Sequence, residues 1–472
     1  MPVRRAPPLD RRDAGALLLL ATLALVLRLV ALDADPSLEV FRGLLTDEGA
    51  WAHNARQAVV FGRWVMDDHN PGLTIAPVYS GALWLGYTMQ GVDFVSTRLV
   101  AALSGALLAL GAWAWVRRAT DPRTALLAGG LLAVGSFGLV HQRIATVEPL
   151  QSLFLLAAAA GVVHAGEGGR RARLAAAAAA AALWLAVATK LTAVALAPAI
   201  VLYALWRLAV RDEAAGRGLP PRRWGPALAF AATALAGLAV VAALAAAHPD
   251  VTAELVGNLR SARSPRPAET LHLHVPGLPA AGLPYGSFLR LCGPMLAVVA
   301  LLGAARLADG RRAPIGGLET FCWSWLLAVL GFVAVQAYQP ERRFLAALPA
   351  LAILAALASR PGALTVPARE ATSRPRLAAA GALLGALLGA YAHEAAGRGG
   401  DPAATGLAAR LLAASIVLGA VVGALLPAVL PRRRVPLPRP AVALLFVAIF
   451  AVDGARIVRE AASLSWGVRD TR

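Results

Sequence analysis

"RRDAGALLLLATLALVLRLV", residues Arg11–Val30, sets the reading of the whole chain. A run of 16 mostly apolar residues, Gly15–Val30, follows four arginines, Arg4, Arg5, Arg11 and Arg12. The run is long for the apolar part of a signal peptide and no small-x-small site follows it, so it reads as an anchor with its basic end inside. Comparable runs recur at 99–116, 125–140, 150–163, 174–188, 191–208, 226–247, 287–307, 319–337, 344–358, 377–391, 404–430 and 441–458. Many approach the roughly 20 residues that cross a hydrocarbon core. They lack the alternation of barrel strands, and backbone in lipid must be satisfied within a helix or a closed barrel. Residues are 58% hydrophobic and only 15% charged, against roughly 25% charged in soluble domains. The expectation is an all-α polytopic membrane protein with about 13 transmembrane helices (roughly 11–14).

The formal charge of +18 invites a nucleic-acid reading, but its distribution opposes one. With the N-terminus inside and spans alternating, the inside loops are 1–14, 117–123, 165–173, 207–225, 306–318, 359–376 and 431–439. These short stretches hold 26 of the 45 basic residues, which is the positive-inside pattern. No nucleic-acid partner is needed. Abundant Ala and Gly are read as composition bias first and small-residue helix packing second. Cys292 and Cys322 fall in or beside apolar runs and read as inert buried thiols.

The first outer segment, 33–95, is long. It holds a helix candidate from about Ala50, the turn "DDHNPG" (Asp67–Gly72) and an interrupted apolar stretch, Leu73–Met89. Counting that stretch as a span would put the arginine clusters outside, so it is expected to lie on the outer leaflet. The segment 248–285 shows no clear helix, and the other outer connections are short.

Sorting polar residues by side makes the outer connections informative. "TDEG", "HQRIATVEP", "ATK" and "YQPERRF" bring Asp47, Glu48, Arg143, Glu148, Lys190, Glu341, Arg342 and Arg343 towards one end of the bundle. Charges beside an apolar region are costly unless paired or functional. Singly, Arg143 or Arg342 could snorkel to headgroups and Glu148 could neutralise Arg143; as a set they read as a site. Lys190 is the only lysine among 45 basic residues. A compact ammonium and a planar guanidinium are not interchangeable at a tight phosphate. Carboxylates among cations suit glycosyl transfer from a lipid-linked sugar phosphate. A base takes the acceptor proton, carboxylates favour an oxocarbenium-like transition state, and fixed cations stabilise the leaving phosphate.

On these residues the chain resembles the GT-C glycosyltransferases, specifically the family 39 group of protein O-mannosyltransferases and aminoarabinose-transferase-like enzymes. "TDEG-WAHNAR" resembles the family's first-loop Asp-Glu motif with its juxtamembrane helix. "QRIATVEPLQSLFLL" resembles the second acidic motif, "AVATKLTAVALAP" the "TK" helix junction, and "QPERRFLAALPALAILAA" the late R-(Y/F)-L-x-x-x-P element. Glu148 followed by Pro replaces the commoner Asp, and the usual Gly after "TK" is missing. The resemblance runs over roughly 15–360; beyond that only hydrophobic spans match. It implies a GT-C-like catalytic region over 1–360, including the first outer loop 33–95 with juxtamembrane helices, and C-terminal transmembrane helices of uncertain role over 361–472. It implies Asp47 as general base and Glu48 as a site-ordering or acceptor-side acid, with Glu148 counted among the catalytic acids. Arg143, Lys190 and Arg342 or Arg343 would hold the phosphate of a polyprenyl-phosphate sugar donor. The acceptor would be an extracytoplasmic hydroxyl on protein, lipid or cell-wall glycan. The enzyme would sit in a bacterial inner or plasma membrane with its active site on the extracytoplasmic face.

Two other classes compete. A transporter or lipid-linked sugar flippase should show mid-span charges, broken helices in matched halves and repeats, whereas these spans are nearly free of ionisable groups at their centres. A non-catalytic scaffold leaves the outer charges unexplained. His272 and His274 with Asp47 offer ligands for a divalent cation, but without helical spacing they read as solvated loop histidines, and no cofactor is expected.

Overall fold

The computed structural model describes residues 10–34, 46–64, 75–167, 171–205, 225–249, 252–253, 286–308, 316–334, 341–366, 373–397, 402–425 and 435–462. Helix starts follow local chemistry. α1 (Arg11–Leu29) opens on a reciprocal pair, with the Asp10 carboxylate accepting from Asp13 N at 2.8 Å and Asp13 accepting from Asp10 N at 3.1 Å. Two N–H groups that no helical carbonyl reaches are thereby satisfied. Asp93 and Ser96 do the same for α4 (Phe94–Ala119). Asp121 caps α5 (Pro122–Val134), whose first residue needs no donor because it is proline. Between α1 and α4 lie α2 (Thr46–Phe61) and α3 (Pro77–Gln90).

After α5 come α6 (Ser136–His141), α7 (Glu148–Glu167), α8 (Ala172–Thr189) and α9 (Leu191–Leu205), which opens as a 3₁₀ turn. α10 (Gly225–Ala247), α11 (Gly286–Ala308) and α12 (Gly317–Ala334) precede a 3₁₀ turn, Glu341–Ala347, that feeds α13 (Leu348–Ala358). α14 (Arg374–Gly397), α15 (Pro402–Leu425) and α16 (Arg439–Ala462) complete the chain. The described part of each apolar run falls on one helix, except 344–358, which begins in the 3₁₀ turn before α13, and 125–140, which is divided between α5 and α6 by a break at Gly135. Five helices, α4, α7, α8, α10 and α16, are long and apolar enough to cross a membrane, and shorter apolar helices accompany them. The chain is an all-α, multi-pass membrane protein.

α13 is the core. All of Leu348–Ala358 is buried, as expected of a helix that is apolar on every face, and it packs against α4, α5, α11 and α12. α10 is the opposite case. None of its residues is buried, and it is held to α8 by the indole of Trp184, which donates to Ala234 O at 3.0 Å over Gly237. α3 has 14 residues, about 21 Å of helix, too short for a bilayer core. It buries Tyr79, Ser80, Leu83 and Tyr87 in packing against α2, α4 and α8. Within the stretch Leu73–Met89 the described residues thus carry a short packed helix. The "DDHNPG" turn, His272 and His274 lie outside the described residues.

Buried ion pairs mark both ends of the bundle. At one end Arg117 of α4 meets Asp13 of α1 in two bonds of 2.7 Å. There too Arg306 of α11 meets Glu319 of α12 at 2.8 and 3.0 Å. A two-residue antiparallel pairing of Thr365–Val366 with Val435–Pro436 joins 359–376 to 431–439. All these join segments assigned to the inside. The start of α2, the connection 142–148, Lys190 and the 3₁₀ turn Glu341–Ala347 lie at the other end.

α14 and α15 approach backbone to backbone. A Cβ on Gly381 would meet the carbonyl oxygen of Gly419, one on Gly385 that of Ser415, and one on Gly423 that of Leu377. Small residues at every fourth position let two membrane helices touch without side chains between them. Here the glycines are required by packing as well as by composition. Gly419→Leu is expected to destabilise the protein by about 1–3 kcal/mol, read as a lowered thermal midpoint in detergent. Gly331→Ala, whose Cβ meets nothing within 4 Å, serves as the near-neutral control.

Candidate active site

Glu48 on α2 is clamped by Arg98 on α4. Nε of Arg98 donates to Oε1 at 2.9 Å and Nη2 donates to Oε2 at 3.0 Å. Nη1 donates to the carbonyls of Leu32 and Ala34, at 3.0 and 2.8 Å. The Arg98 side chain has no exposed surface and that of Glu48 is 7% exposed. Glu48 Oε1 also accepts from Ala145 N at 2.7 Å. One planar guanidinium therefore ties the exit of α1, the start of α2, α4 and the connection before α7, a geometry only Arg can offer.

Glu148 is the first residue of α7, and its side chain is 1% exposed. Its Oε1 accepts from Lys190 Nζ at 2.5 Å and lies 3.4 Å from Nε of Arg342. Its Oε2 is buried and has no hydrogen-bond partner among the described residues, and the same is true of the Tyr79 hydroxyl. Lys190 Nζ also sits 5.5 Å from the ring centroid of Trp51 on α2, a cation–π distance. Burial pushes the Lys190 ammonium below the usual lysine range against the pull of Glu148, with Arg342 and Arg343 adding repulsion. Burial, with the Tyr87, Glu48 and Glu148 charges added, holds the Tyr79 hydroxyl protonated well above the usual tyrosine range.

The first turn of α7 sews the other pieces in place. Gln151 Nε2 donates to Lys190 O at 2.9 Å and to Thr192 Oγ1 at 3.0 Å, fixing the α8–α9 junction. Ser152 Oγ donates to Leu345 O at 3.3 Å, fixing the 3₁₀ turn that carries Arg342 and Arg343. Arg143 caps the end of α1, with Nη1 donating to Leu27 O and Nη2 to Ala31 O, both at 2.8 Å. Asp47 lies in the first turn of α2, directly before Glu48. Its side chain, like that of Glu341, lies outside the described residues.

Comparisons with known proteins agree with this architecture. The chain superposes on ArnT from Cupriavidus metallidurans in the apo state with a TM-score of 0.54 and 19% identity, covering 94% of this chain and 77% of that one. The same protein bound to undecaprenyl phosphate gives 0.55 and 19%, covering 94% and 78%. This is the GT-C fold. Arabinosyltransferase EmbB from Mycobacterium smegmatis follows at 0.50 and 16%, covering 97% of this chain and 42% of that one. A family model described as dolichyl-phosphate-mannose-protein mannosyltransferase matches residues 73–215. No curated protein matches the sequence.

Within this GT-C bundle the structure brings Glu48, Glu148, Lys190 and Arg342 together, with Arg143 on the α1 end beside them and Arg343 on the same turn as Arg342. Arg98, Trp51, Tyr79 and Gln151 were not singled out from the sequence. Arg98 was recoverable: it stands immediately before the apolar run 99–116, where a charge needs a partner. Arg98→Ala leaves the Glu48 carboxylate buried without its guanidinium and is expected to cost about 3–5 kcal/mol. Joint replacement, Arg98→Met with Glu48→Met, is expected to restore much of that thermal stability, since no buried charge is then left alone. A double mutant as unstable as Arg98→Ala would rule out the ion pair as the source of the loss.

Proposed function

We propose that the protein is a membrane glycosyltransferase that moves a sugar from a polyprenyl-phosphate carrier to an acceptor hydroxyl on the extracytoplasmic side. The observation that carries this reading is the outer-end cluster in which Lys190 and Arg342 converge on a buried carboxylate with one oxygen unused. The fold supports it, because ArnT, a protein of the same fold, is known bound to undecaprenyl phosphate. The arginine distribution supports the extracytoplasmic placement and a bacterial inner or plasma membrane.

The chemistry divides among the residues as follows. Asp47, in the first turn of α2, takes the proton of the acceptor hydroxyl as the glycosidic bond forms. Lys190, Arg342 and Arg343 stabilise the charge on the departing polyprenyl phosphate. Glu148 keeps Lys190 and Arg342 at one point, where the repulsion between them favours an anion. The Tyr79 hydroxyl, kept protonated by its setting, donates to the bound donor. Glu48 orders the site through Arg98 and Ala145. Arg143 commits Nη1 and Nη2 to α1 carbonyls, and its part is to hold that helix end beside the phosphate. The residues assigned to the chemistry all lie within 1–360.

Three measurements test this. In a deletion strain, mass spectrometry should find a polyprenyl-linked sugar accumulating while one glycan disappears; no change in either would sink the transferase reading. Purified Asp47→Asn is expected to lose transfer about 10²-fold or more with its fold intact, whereas a transporter would keep its flux. Lys190→Arg should lose at least tenfold in activity despite unchanged charge, because a planar fork cannot replace the ammonium between Glu148 and Trp51.

A further inference from the structure

The helix broken at Gly135 has both severed ends closed by buried ionisable side chains from other helices. In a continuous helix Ser136 N would donate to Leu132 O. Instead Leu132 O accepts from Nη2 of Arg28 on α1 at 2.9 Å, and Ala133 O accepts from its Nη1 at 3.1 Å. Ser136 N and Oγ donate to Oδ1 of Asp453 on α16, at 3.2 and 2.6 Å. A cation thus closes the C-terminal end of α5 and a carboxylate the N-terminal end of α6, the signs that the helix dipoles favour. Arg28 is wholly buried and Asp453 is 3% exposed. Asp453 lies inside a candidate span, so the expectation of spans nearly free of ionisable groups misses it. Irregular backbone at membrane depth persists only where protein supplies its partners.

The break is built in. A Cβ on Gly135 would come within 2.6 Å of Leu131 O. α6 then runs six residues to Gln142, whose Oε1 accepts from Nε and Nη2 of Arg28 at 2.9 and 2.5 Å. The glycine at 105 of α4 makes room for that side chain, since a Cβ there would strike it. Immediately beyond Gln142 come Arg143, Ala145 and Glu148, three contacts of the candidate site. α6 is therefore a short strut with Asp453 at its foot and the site at its head.

We propose that Asp453 is a positioning residue for the reaction. Through Ser136 it sets the height and rotation of α6, and hence of the connection 142–148, so that α16 belongs to the catalytic unit although the motifs of the sequence end near residue 360. The proposal rests on the glycosyltransferase reading for what the site does; the latch itself stands on the hydrogen bonds. Asn at 453 keeps an Oδ1 acceptor and Ala does not, which separates the bond from the mere presence of the helix.

The test uses the full chain in phospholipid nanodiscs, with hydrogen–deuterium exchange followed by mass spectrometry and undecaprenyl phosphate as the binding probe. Asp453→Ala is expected to speed exchange across 136–148 at least tenfold and weaken probe binding several-fold, with exchange in 348–358 unchanged. Asp453→Asn should match the wild type within twofold in both. Unchanged exchange at 136–148 in Asp453→Ala, or a uniform rise through the whole bundle, overturns the proposal. If Asp453→Ala does not fold, Ser136→Ala, which removes only the 2.6 Å bond, must raise exchange over 136–148 or the proposal fails. A wild type that does not bind undecaprenyl phosphate defeats the donor assignment, while the exchange result still decides the latch.

Discussion

An arginine with no exposed surface, inside a bundle of Ala, Leu and Val, is the constraint on which the outer end depends. Arg98 can stay ionised there only if its donors are engaged, and it engages two carbonyls at the exit of α1 together with both oxygens of Glu48. Each of those partners is thereby fixed relative to α4. Glu48 passes the constraint on through Ala145 N, which places the connection leading to Glu148. The candidate site is thus assembled by satisfying one buried charge, and its carboxylates come into place as a consequence.

The same logic sets the register of the bundle. Apolar helices rich in small residues pack closely but discriminate weakly between sliding positions, because one methyl or glycine contact resembles the next. Ion pairs do discriminate, since a shift of one turn would strand a charge. Asp13 with Arg117 and Glu319 with Arg306 act at one end; Glu48 with Arg98 and Glu148 with Lys190 act at the end that carries the candidate site. The α14–α15 hairpin solves the problem differently, by backbone contact that only its glycines permit.

The apolar runs and the placement of Arg made the helical bundle and the two ends readable from sequence, since both are one-dimensional signals. The charged members of the site were readable for the same reason: Glu48, Glu148, Lys190 and Arg342 stand in short connections where a charge is conspicuous. Residues inside the runs were not. Arg28 and Asp453 fall within 15–30 and 441–458, and run averages hide them. Their partners are a carbonyl pair and a serine over 100 residues away in the chain, which no spacing rule connects. Trp51, Tyr79 and Gln151 act through a ring face, a lone hydroxyl and an amide, none of which registers as a charge. The break at Gly135 escaped because its sequence, "AVGSFGLV", remains apolar throughout; only the freed backbone groups betray it.

Charge balance explains why Glu148 belongs among cations rather than opposite a single partner. A carboxylate paired one-to-one with Lys190 would close the site electrostatically. With Arg342 at 3.4 Å and Arg343 acting on Lys190 through space, like charges repel one another across the cluster, and burial makes that repulsion costly. An anion placed between those cations would relieve that repulsion. Glu48 contributes nothing to this balance, because Arg98 cancels it.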